Sequence, residues 1–71
     1  MTHTLTIFDV VALLKDVPEQ GLPKGQVGII VEEWTDGVYE VEFADKQGQT
    51  IAMFAVEAKD LLRLYFEPQL V

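Results

Sequence analysis

Hydrophobic and polar positions alternate most regularly between Val38 and Phe43, where Tyr39, Val41 and Phe43 fall on one side and Glu40 and Glu42 on the other. A period of two marks a strand with one face buried and one face wet. Just before it, Asp36-Gly37 supplies the left-handed backbone that a two-residue hairpin turn needs. Gln26–Trp34 therefore reads as the antiparallel partner strand, with Gly28 marking a bulge or a close backbone approach. Upstream, Phe8–Leu14 is an aliphatic, β-branched run closed by Asp16-Val17-Pro18, which fits a first strand better than a helix. Glu19–Gly25 follows with Gly21, Pro23 and Gly25 and predicts an exposed loop. Downstream, Asp45–Gln49 with Gly48 predicts a turn, Thr50–Val56 a fourth strand, Glu57–Asp60 a short 3-10 turn and Leu61–Leu64 a fifth strand. Five short strands divided by glycine-marked turns predict an all-β chain that closes into a small barrel over residues 1–64, since closure removes free sheet edges. Residues 65–71 read as an apolar tail broken by Pro68.

Composition narrows the function. Seventy-one residues hold one modest core. The sequence contains no cysteine, so packing must stabilise the fold without disulfides or thiolate metal sites. A hydrophobic share of 49% is generous for this length and points to a well-packed barrel or an oligomer surface. The longest apolar runs, Val10–Leu14 and Ile51–Val56, fall far short of the roughly 20 residues of a membrane span. Met1-Thr2-His3-Thr4 has neither the basic nor the long apolar region of a secretory signal, which predicts a cytoplasmic protein with no membrane partner. Twelve Asp and Glu against five Lys and Arg give a net charge of −7. Lys15, Lys24, Lys46, Lys59 and Arg63 form no run, and phosphate binding needs clustered cations, so nucleic acid is disfavoured as a partner and a basic protein favoured.

Three segments carry a family resemblance. Lys24–Glu32 with its two glycines, then Val38–Phe43, then Ala58-Lys59-Asp60-Leu61, resemble the KOW-type pattern of an SH3-like barrel. Phe8–Leu13 taken with Gly25–Val31 is similar, over nearly the whole chain, to the small bacterial proteins grouped as domain of unknown function 4926, common in cyanobacteria. The resemblance implies a five-stranded SH3-like barrel with a short 3-10 turn before the last strand. Members of this group often sit beside genes for toxin-like proteins, so the resemblance also implies an antitoxin or immunity role. It assigns no catalytic or binding residue.

The residues themselves offer little catalytic chemistry. There is no Ser, Cys or Asn, and the one histidine, His3, lies near the terminus, so no catalytic residue, cofactor or metal site is expected. Glu32, Glu40 and Glu42 meet across the predicted hairpin, where like charges cost stability. With Glu33, Asp36 and Asp45 they form either a solvated face or a docking face for a basic protein such as a nucleic-acid-cleaving toxin. Trp34, at the strand end, either packs into the core or joins that surface. Tyr65 and Phe66 open the apolar tail, which packs back on the barrel or inserts into a partner or a second copy. The sequence thus predicts a non-catalytic interaction module. Its alternatives are an RNA- or ribosome-associated KOW-like domain and an accessory subunit of a larger enzyme.

Overall fold

The computed structural model describes residues 5–65. Five antiparallel strands form one sheet: β1 (Val10–Leu13), β2 (Val27–Thr35), β3 (Val38–Ala44), β4 (Thr50–Glu57) and β5 (Leu61–Arg63), in the spatial order β4-β3-β2-β1-β5. Short 3-10 turns occupy Pro18–Gln20 and Ala58–Asp60, the second where the sequence predicts one. The β2–β3 hairpin turns at Asp36-Gly37, with Gly37 at φ 82°. The alternation of β3 is realised as expected: Tyr39, Val41 and Phe43 are buried, whereas Glu40 and Glu42 face outward and are only partly covered.

The core lies on one side of the sheet. Phe43, Leu13, Ile30, Val11 and Val41 are fully buried there, and Phe54 stacks on Phe43 with ring centroids 5.3 Å apart. Val56 of β4 and Leu61 of β5 enter the same cluster from the two edge strands, so the sheet curls around its core. The ladder does not close, however. Among the described residues β4 pairs only with β3 and β5 only with β1, which corrects the expectation of a sealed barrel. The cause is local. The 3-10 turn carries the chain from one edge of the sheet to the other, fixed by Ala58 N–H donating to Gly37 O and Leu14 N–H to Asp60 O. The three residues of β5 are then satisfied by β1 alone.

Strand boundaries shift for similar reasons. Phe8 adopts φ 76°, a left-handed conformation that interrupts an extended strand, so β1 begins at Val10 rather than Phe8. Its N–H donates to Ile30 O at 2.7 Å, and Asp9 accepts from Thr6 N–H through its carboxylate. Register shifts in β2 fall at Val31 and Trp34, not at Gly28. Gly28 is instead the close approach: a Cβ there would lie 2.7 Å from the Phe43 ring and 2.8 Å from Glu42 O.

Candidate protein interface

The outward side of the sheet is set by strand parity. With Val11, Leu13, Ile30, Tyr39, Val41, Phe43 and Val56 inside, the opposite positions are Val10 and Ala12 of β1, Val27 and Ile29 of β2, Glu40, Glu42 and Ala44 of β3, and Met53 and Ala55 of β4. Leu62 joins them from β5, opposite Ala12. Cross-strand pairing lines these residues into rows. One row runs Val10, Ile29, Glu42, Met53 across four strands. Beside it Leu62, Ala12 and Val27 run across β5, β1 and β2. Val27, Ile29, Met53 and Leu62 are each about half exposed, so much of what this face shows to solvent is apolar.

Within this surface Glu42 stands between Ile29 and Met53, and its carboxylate accepts a hydrogen bond from the Thr50 hydroxyl. Val10, Val27, Ile29, Ala44 and Gly48 line a shallow groove around it. Two residues back along β3, Glu40 faces Glu32 of β2 directly, so the like-charge pair expected from the hairpin is present. Trp34 is not a core residue: it is 62% exposed and its indole Nε1–H donates to Glu40 Oε1 at 2.6 Å. The register shift at Val31 reverses the parity set by the buried Ile30, so Glu32 and Trp34 fall on the outward side. These strand positions carry Glu32, Glu40 and Glu42 and no Lys or Arg.

The remaining residues singled out from sequence lie elsewhere. Glu33 is opposite Tyr39, on the other side of β2, and Asp36 belongs to the hairpin turn. Both carboxylates act on the buried Tyr39 phenol: burial first, then the charge of Glu33, pushes its pKa above the usual tyrosine value, with the Leu5 backbone acting the other way. Tyr65 follows β5 at the edge remote from β4, half exposed, its ring 4.7 Å beneath the Arg63 guanidinium. Phe66 and the rest of the tail lie outside the described residues. Among the described residues no group of three or more His, Cys, Asp or Glu is placed to hold a metal ion, and no helix is long and apolar enough to cross a membrane.

Three of the five cations are already engaged. Lys15 pairs with the largely buried Asp60 at 3.3 Å, Lys59 with Asp60 at 3.6 Å, and Arg63 with Asp9 at 3.5 Å. Sequence reasoning found the glutamates but missed the apolar ground they stand on. Its signal was available: Val27-Gly28-Ile29-Ile30 and Ile51–Val56 are apolar at both parities, a pattern of strands apolar on both faces.

A family model described as a domain of unknown function (DUF4926) matches residues 7–63, a span that holds all five strands. No curated protein and no solved structure matches the chain.

Proposed function

The chain belongs to the DUF4926 family of domains of unknown function, and from that premise we propose that it is a non-catalytic interaction module whose outer sheet face docks a basic protein. The observation that carries this reading is the apolar row Val10, Ile29, Met53 interrupted by Glu42, with Glu40 and Glu32 alongside and no cation on these strand positions. Exposed aliphatic side chains supply the area that association buries. The carboxylates select a partner bearing Lys or Arg and speed its encounter. A basic toxin neutralised by this face is the specific role; the net charge of −7 suits such a partner. Association with RNA draws less support, because Lys15, Lys59 and Arg63 are tied to carboxylates of the chain itself.

Changing Glu40 and Glu42 together to glutamine tests the proposal. The amide oxygen of a glutamine in place of Glu40 would still accept from the Trp34 indole while the Glu32–Glu40 repulsion disappears, so the free protein should be as stable as before or slightly more so. Affinity for the basic partner should fall by about tenfold or more, mainly through slower association at low salt. Unchanged affinity would remove the face from consideration.

A further inference from the structure

The open seam leaves β4 as an eight-residue edge strand, Thr50–Glu57. Edge strands in monomeric proteins are blunted by lysines, prolines, bulges or covering loops, because their free N–H and C=O groups invite another strand. From Ala52 to Val56 β4 is uncharged, lacks proline and pairs with β3 without interruption; its one register shift falls at Ile51, ahead of this stretch. Among the described residues, positions 51–56 make no backbone hydrogen bond apart from their ladder to β3. The core is thinnest here as well. Inward-facing Ala52 and Phe54 stay partly exposed, whereas Val41 and Phe43 beside them on β3 are fully covered. Outward, Met53 is about half exposed, as is Ile51 at the register shift. An added strand would therefore need apolar residues on both its faces.

We infer that the strand added to this edge is β4 of a second copy, the two chains forming one continuous ten-stranded sheet about a two-fold axis. The sequence of β4 is self-complementary in this sense. An antiparallel pair centred on Met53 sets Ala52 against Phe54 and Ile51 against Ala55, small residue facing large on each side. The pairing sums are even, so inward residues stay inward and outward residues outward in both chains. Charge favours the edge over the face. Stacking two outer faces would bring Glu42 and Glu40 against their own copies. Edge pairing keeps the two β3 strands about three strand spacings apart, roughly 14 Å, beyond the Debye length of about 8 Å at physiological ionic strength. The second half of β4 borders a shallow depression beside Lys15, Val17 and Glu19, so the pairing is centred no further along than Met53.

The absence of cysteine makes a direct test available. Sedimentation equilibrium on the full chain should give a mass rising from 8.0 kDa towards twice that value as concentration climbs to about 1 mM. Met53→Cys, at an exposed position on the proposed axis, should crosslink to a disulfide dimer under mild oxidation, whereas Leu62→Cys on the far edge should not. Met53→Lys should remain folded by circular dichroism and stay at the monomer mass. The inference is overturned by a monomer mass up to about 1 mM, by a dimer that survives Met53→Lys, or by Leu62→Cys crosslinking as completely as Met53→Cys. A monomeric result would leave the outer-face reading untouched, because that face does not depend on a second copy.

Discussion

Single residues carry the tightest constraints. Gly28 sits under the Phe43 ring with no room for a methyl group, so Gly28→Ala should lower stability by about 1–3 kcal/mol, seen as a lower urea midpoint at unchanged slope. Sequence alone named this glycine as a bulge or a close approach. Only the distance to Phe43, set by the β2–β3 register, decides between the two. Phe8 is 77% exposed and left-handed, a conformation that costs a phenylalanine about 1–2 kcal/mol and an asparagine less. Phe8→Asn should therefore raise the urea midpoint, by up to about 1 kcal/mol in stability. Nothing in the local sequence marks this strain, because it arises from the hydrogen bond to Ile30 on another strand. Tyr39 titrates above its ordinary value because burial and Glu33 disfavour the phenolate. The folded protein therefore holds the proton more tightly than the unfolded chain. That contribution is complete below about pH 10 and is lost as pH rises through the folded value. Tyr39→Phe should flatten the fall in stability across this alkaline range, measured by chemical denaturation at stepped pH.

Elements were legible where local chemistry decides them. The Asp36-Gly37 turn, the alternation of β3 and the 3-10 turn at Ala58–Asp60 all follow from neighbours in sequence. The β3–β4 turn has the same character, with the Asp45 carboxylate accepting from Gln47 N–H and Gln49 N–H, both at 2.9 Å. Asp45→Ala removes both bonds and should cost about 1 kcal/mol without changing the outer face, read from the same denaturation curves. What the local pattern could not supply was pairing between distant strands. Whether β4 meets β5 depends on where the 3-10 turn delivers the chain, and the closed seam was expected from a general preference rather than from any residue. Trp34 at its strand end was left between core and surface, and the register shift at Val31, which no local pattern marks, puts it outside. The glutamates were assigned to the wet side of β3 correctly, but their setting among Ile29 and Met53 needed the register.

At the scale of the whole molecule, acidity and apolarity share one surface. A net charge of −7 and Glu42 in the middle of the apolar row both oppose association of two copies through their outer faces. A chain bearing Glu42→Leu should therefore associate through the outer face, giving crosslinking at Leu62→Cys that the parent lacks. The same arrangement selects a partner that brings cations and aliphatic carbon together. The most direct measurement is co-purification of the tagged chain from its native host after nuclease treatment, run in parallel with the Glu40→Gln, Glu42→Gln double variant. The account predicts a basic protein retained by the parent chain, resistant to nuclease and depleted with the variant. Equal recovery with both chains, or recovery only of ribosomal proteins that vanish with nuclease, would contradict it.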